Sequence, residues 1–298
     1  MLIKILIENF LSFEKETELS MIPSNKTRKK PEHKISVKNT PLLKHAVIYG
    51  ANASGKSNLI EAFQFIKQCV TKSIPVNATN MFCKSNKENE CKPSTFELQI
   101  SLNGKFYAYG FSLLLSERKV VSEWLYELYQ NGSSKLLFER ELDKKPIIGD
   151  AVSLTKVDVS KLKTYLEDFD ETTNTLFITF MNQGKKYNTD TKLAFFKEIY
   201  NWVSDSLTVC TPQTSLTSFE YYYDQASLSR INELIKVFDT GISEVNIEEI
   251  SIEELQKELP SPIYDDLISE LNNRIETEGL KGIRISMRSS DTFFNIEV

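Results

Sequence analysis

"GANASGKSN", residues 50–58, carries the glycine, lysine and hydroxyl spacing G-x-x-x-x-G-K-[ST]. In a loop of this kind the backbone N–H groups curl around phosphate oxygens, and the start of the following helix adds about half a positive charge. Gly50 and Gly55 permit tight curvature and close backbone approach. Lys56 would reach the β- and γ-phosphate oxygens, and the Ser57 hydroxyl would ligate Mg²⁺. Asn52, Ala53, Ser54 and Asn58 complete the candidate cradle for ATP. The chemistry requires a strand before the loop and a helix after it. Residues 44–49 (KHAVIY) read as a compact strand, and Leu59, Ile60, Ala62, Phe63, Ile66 and Val70 recur at helical spacing.

Working outward, residues 1–7 (MLIKILI) form a short apolar run suited to a buried strand, and 17–22 read as a second strand. Residues 23–41 are polar and lysine-rich and predict an exposed loop. Residues 73–93 break the pattern again. Residues 96–115 alternate as a hairpin about Asn103-Gly104, and 120–129 with 135–140 repeat the device about Asn131-Gly132. This is an antiparallel meander. Beyond residue 150 the chain turns helical, with helices predicted over 192–202, 227–237 and 262–275, and a last hairpin over 282–287 and 292–298.

With 298 residues the chain can be one large domain or two ordinary ones. Its 41% hydrophobic and 11% aromatic content exclude wholesale disorder, and a net charge of -5 gives no global attraction to nucleic acid. Cys69, Cys83, Cys91 and Cys210 make no C-x-x-C pair, and His33 and His45 complete no zinc spacing, so free thiols are expected. Neither a leader pattern nor a run of about eighteen apolar residues occurs. The expectation is a cytoplasmic protein without membrane attachment.

The neighbours of the loop extend the pattern to G-x-N-x-S-G-K-S-N-L-x-E-A. This closely resembles the ABC-type ATPase heads of the SMC, RecF and OLD group, as does the opening "IKILIENFLSF". "SEWLYEL" (122–128), "NTLFITFMNQG" (174–184) and "TGISEVNIEEI" (240–250) resemble bacterial AAA-type ATPases of phage defence and abortive infection. The resemblance implies an α/β, P-loop NTPase fold of the ABC-head type, a mixed sheet with an antiparallel meander followed by a mostly helical lobe. The lobes are expected over 1–150 and 151–298. It implies ATP and Mg²⁺ held between two heads of a homo-oligomer, and an effector partner such as a nuclease or toxin. It also implies a glutamine loop touching Mg²⁺ or the attacking water. Gln183 in "FMNQGKK" is the candidate for that catalytic and metal role, and the same residues also fit an ordinary polar turn. The turn Leu11-Ser12-Phe13 matches the segment that leans on adenine in such heads; alternatively, Phe10 and Phe13 simply staple the sheet.

Hydrolysis needs a carboxylate on Mg²⁺ and another for water, normally ending an apolar strand as hhhhDE. Asp239 in "LIKVFDTG" follows helical spacing, and Asp265-Asp266 opens a predicted helix. Neither fits, and no LSGG-like signature occurs. The expectation is therefore the N-terminal portion of a longer ATPase, through truncation, a split gene or decay. The alternatives are a non-hydrolysing nucleotide-binding assembly module and a RecF-like DNA-repair head. Lys26, Arg28, Lys29, Lys30 and Lys34 form a basic loop that is either solvated or a nucleic-acid contact. Glu248, Glu249, Glu253, Glu254 and Glu258 read as a solvated helix face or a docking site, and Tyr221-Tyr222-Tyr223 as strand packing or a stacking surface.

Overall fold

The computed structural model describes residues 1–24, 31–150, 152–170, 174–185, 187, 191–211, 225–238, 242–250, 256–257, 261, 282–289 and 293–297. Lys26, Arg28, Lys29 and Lys30, the three tyrosines at 221–223, Asp239, Glu253, Glu254, Glu258, and the residues 262–275 with Asp265-Asp266 lie outside them. The contacts divide the chain into two compact units, Met1–Thr211 and Pro212–Val298.

In the first unit, alternating apolar residues put β1 (Leu2–Glu8) between β2 (Thr17–Ser20) and a long meander. Where a loop is predicted over 23–41, β3 (Lys34–Val37) and β4 (Thr40–Leu43) instead form a hairpin. Lys38 and Asn39 turn it with positive φ of 45° and 65°, the two-residue geometry that matches strand twist. Helix α1 (Lys56–Thr71) follows the glycine loop. The meander is β5 (Ser94–Leu102), β6 (Lys105–Leu114), β7 (Lys119–Leu128), β8 (Ser134–Glu141) and β9 (Ile147–Ile148). Asn103 and Gly104 turn the β5–β6 hairpin at φ 50° and 71°. The sheet order is β2-β1-β5-β6-β7-β8-β9, with every pairing antiparallel.

The predicted strand at 44–49 does not form. Its backbone joins no sheet among the described residues, and Val47, Ile48 and Tyr49 are exposed at 65%, 45% and 88%. Apolar β-branched composition gave the strand expectation, but a strand persists only where a neighbour takes its N–H and C=O groups. The seven-stranded sheet has β2 and β9 at its edges, and this segment pairs with neither.

One core joins the sheet to the helices that follow it. These are α2 (Lys156–Asp168), α3 (Phe177–Asn182) and α4 (Ala194–Asn201), the last running into a π-helical turn at Trp202–Ser206. Helix α1 buries Ala62, Phe65, Ile66, Cys69 and Val70, one stripe at 3.6-residue spacing. Phe65 meets Phe10 and Phe96 at 5.1 Å each between ring centroids. Phe138 gathers Phe177 and Phe196 at 5.7 and 4.9 Å. Each such ring contributes roughly 1.5–3 kcal/mol through burial. Helices α2, α3 and α4 thus share the sheet's core.

In the second unit, α5 (Gln225–Val237) precedes a three-stranded antiparallel sheet of β10 (Ile242–Ile250), β11 (Gly282–Ser289) and β12 (Phe293–Glu297). Asn232 joins helix to sheet, donating to Val245 O at 3.0 Å and accepting from Val245 N at 2.7 Å. Glu248 and Glu249 lie in β10, which corrects their reading as a helix face: "ISEVNIEEI" has the β-branched density of a strand. The helical state up to Val237 means that no apolar strand leads into Asp239.

Candidate functional site

The glycine loop ends on Gly55, which has φ 90° and ψ 3° and stands as the N-cap of α1. Ala53 is also left-handed at φ 62°, and Ser54 N closes a turn on Ala51 O at 3.2 Å. A glycine at 55 avoids the steric cost of that left-handed backbone. There is a second reason for it. A Cβ there would meet the Ser12 hydroxyl at 2.6 Å, while a Cβ on Gly50 would meet Ser54 Oγ at 2.5 Å. A Cβ at either position would force the facing serine hydroxyl to rotate away.

Lys56 opens α1, and its Nζ donates to Gly50 O at 2.9 Å, Ala51 O at 2.7 Å and Ser54 Oγ at 3.4 Å. The ammonium lies across the loop, so its charge sits where phosphate would be held. Among the described residues no carboxylate contacts Lys56, and α1 has no acidic residue in its first turn to satisfy its N-terminal amides. Ser57 and Asn52 are exposed and Asn58 half-buried, within reach of a ligand over the loop.

The turn carrying Ser12 is held firmly. Phe10 and Phe13 exchange backbone hydrogen bonds at 2.9 and 2.8 Å, and Leu11 N donates to Met81 O at 2.8 Å. Asn9 is buried at φ 51°. It donates to Asn89 O at 2.8 Å and Lys92 O at 2.9 Å, and accepts from Cys83 N at 3.2 Å. Phe10 is fully buried against Phe65 and Phe96, so it staples the sheet, while exposed Ser12 is the residue that reaches the loop. Sequence reading singled out this turn without assigning the contact to Ser12.

Gln183 stands elsewhere. It is the exposed C-cap of α3, and its N–H donates to Thr179 O and Phe180 O. Helix α3 docks on the far end of α1, where Thr179 Oγ1 donates to Val70 O at 2.7 Å. Val70 lies about 21 Å along α1 from Lys56. No hydrogen bond joins Gln183 to the phosphate loop among the described residues, and the helix that carries it is tied to the far end of α1.

Sequence reading missed a buried polar cluster under α3. Glu123, fully buried, accepts from Phe177 N at 2.6 Å, Ile178 N at 3.0 Å and the Tyr109 hydroxyl at 3.0 Å. Arg140, also buried, donates to Thr175 O at 3.1 Å and lies 4.7 Å from the Phe169 ring centroid. Burial pushes the Glu123 carboxyl up, while the Ile178 N–H, the Arg140 charge, the Phe177 N–H and the Tyr109 hydroxyl pull it back. The signal was in β7: Glu123 falls on the inward side with Leu125. Two stretches that resembled phage-defence ATPases, 122–128 and 174–184, meet here.

Residues 46–170 match the family model described as "AAA domain, putative AbiEii toxin, Type IV TA system". That stretch fits an AAA-type P-loop ATPase domain. The match spans the phosphate loop, α1 and the whole meander. This AAA domain is a nucleotide-binding ATPase domain related to those of toxin–antitoxin and abortive-infection systems. No curated protein matches the chain. Among the described residues no helix is long and apolar enough to cross a membrane, and no group of His, Cys, Asp and Glu is arranged for a metal ion. The four cysteines are free.

Proposed function

We propose that this chain binds Mg-ATP at Gly50–Asn58 as an ABC-type head of an antiphage defence system, and that nucleotide-driven pairing of heads controls an effector such as a nuclease or toxin. The observation that carries the reading is the cradle itself. Gly55 is left-handed at the N-cap of α1, Ser12 is packed against it, and the Lys56 ammonium lies over the loop. ATP fits this donor set: the N-terminal amides of α1 and Lys56 would hold the phosphates, and Ser57 would hold Mg²⁺. Bound Mg²⁺ would supply charge neutralisation at the phosphates. Ser12 would close the loop from the β1 side.

Exposed apolar surface beside the loop supports pairing across the nucleotide face. Val47, Ile48 and Tyr49 precede the cradle, and Ile60 follows it at 38% exposure. Such residues at the rim of a ligand site favour a protein cover. Sedimentation velocity tests the pairing. Mg-ATP should shift the chain toward a dimer, and Lys56→Ala should leave it unshifted. A sedimentation coefficient indifferent to nucleotide would remove head pairing from the account.

A further inference from the structure

A second recess lies away from the phosphate loop, at the end of the sheet under α4. Its volume is about 270 Å³, near the lower bound of small-molecule sites. Tyr107 of β6, Leu137 of β8 and Phe195 of α4 give it an aromatic and apolar floor, and Lys105, Lys135 and Lys192 stand around it. Lys105 is paired with Glu127 at 3.7 Å. Lys135 and Lys192 form no ion pair among the described residues.

Two features make this a built recess. Tyr107 is only 2% exposed and lines the space. Burial first, then the carboxylates of Glu198 and Glu127, push its phenol well above the usual range, so the hydroxyl remains a donor. The wall bearing Lys192 is fixed as well. Asp158, 2% exposed, accepts from Lys192 N at 3.2 Å and from the Thr191 hydroxyl at 2.6 Å.

We propose that this recess is a second ligand site, for a small organic anion whose phosphate or carboxylate meets Lys135 and Lys192, whose apolar body lies on Leu137 and Phe195, and which accepts from the Tyr107 hydroxyl. It is separate from the ATP cradle and stands whether or not the cradle binds ATP.

Phenyl phosphate is a suitable probe, with benzoate as the carboxylate arm, phenol as the uncharged arm and inorganic phosphate as the arm without an apolar body. Titrations use the Lys56→Ala chain, so that the glycine loop does not answer for the recess. Phenyl phosphate or benzoate should bind with a dissociation constant below about 10 mM, more tightly than phenol and inorganic phosphate. Lys135→Gln with Lys192→Gln should weaken binding about tenfold or more. Tyr107→Phe should weaken it severalfold with the fold retained, as judged by circular dichroism. Absence of binding by both aromatic anions at that concentration, or binding that the lysine pair and Tyr107→Phe leave unchanged, would overturn the proposal.

Discussion

The Glu123 carboxylate holds the backbone N–H of Phe177 at 2.6 Å, binding the meander to the first turn of α3 across 54 residues of chain. Glu123→Ala leaves that N–H, the Ile178 N–H and the Tyr109 hydroxyl without this acceptor and removes a carboxylate that the Arg140 charge acts on. The expected cost is about 3–5 kcal/mol in urea unfolding, with Glu123→Gln costing less. The pH sign is opposite to that of a surface acid. A folded pKa raised above 4.5 means the folded state binds the proton more tightly, so this group's contribution falls as pH rises through that window. Wild type should lose stability relative to Glu123→Gln as the pH climbs above 4.5. An Ala variant within about 0.5 kcal/mol of wild type would show the cluster to be idle.

Asp158 should behave in the reverse sense. Burial pushes its carboxyl up, but hydrogen bonds from the Thr191 and Thr155 hydroxyls and from the Thr155 and Lys192 amides outweigh burial and bring it down to about 2. Its contribution is present above the unfolded value of 3.8 and is lost as pH falls through about 2. It amounts to at most about 2 kcal/mol. Asp158→Asn should therefore destabilise near neutrality and match wild type near pH 2. An equal penalty at both pH values would contradict this.

Gly55→Ala should weaken the cradle for two separable reasons, left-handed strain and the collision with Ser12. The strain costs about 1–2 kcal/mol. Ser12→Ala in the same chain should recover only the collision part, so the double variant falls between wild type and Gly55→Ala in stability. Recovery to the wild-type level would mean the backbone angle costs nothing.

The helix after the glycine loop, both Asn-Gly hairpins and α5 were legible because each rests on local periodicity and turn chemistry. The hairpin at 34–43 was not, because its turn is Lys38-Asn39 and lacks the glycine that usually marks one. The segment at 44–49 failed for a different reason: composition reports β preference, whereas a strand also needs an edge to pair with. At the site, the loop residues were readable from spacing alone. Ser12 meets Gly55, 43 positions away, and Glu123 holds Phe177 and Ile178, 54 and 55 positions away. Gln183 lies in a stretch that Thr179 ties to the far end of α1, a long-range contact that local spacing does not report.

Phosphate and metal binding do not suffice for turnover, since positioned carboxylates and opposing charge carry most of phosphoryl-transfer catalysis. The 298-residue chain is expected to bind Mg-ATP and release little phosphate by itself. A steady-state phosphate assay checks this. Robust Lys56-dependent hydrolysis would point to an acid within the chain, with Asp239→Asn the first variant to make.

Calorimetric titration of ATP with Mg²⁺ into wild type and Lys56→Ala tests the nucleotide cradle most directly. Lys56 contacts the loop carbonyls of Gly50 and Ala51 and not the core, so the variant should fold as wild type does. Loss of its charge-assisted contact to phosphate should cost about 1.5–3 kcal/mol, or about ten- to a hundredfold in affinity. A folded Lys56→Ala chain that binds ATP as tightly as wild type would contradict the account.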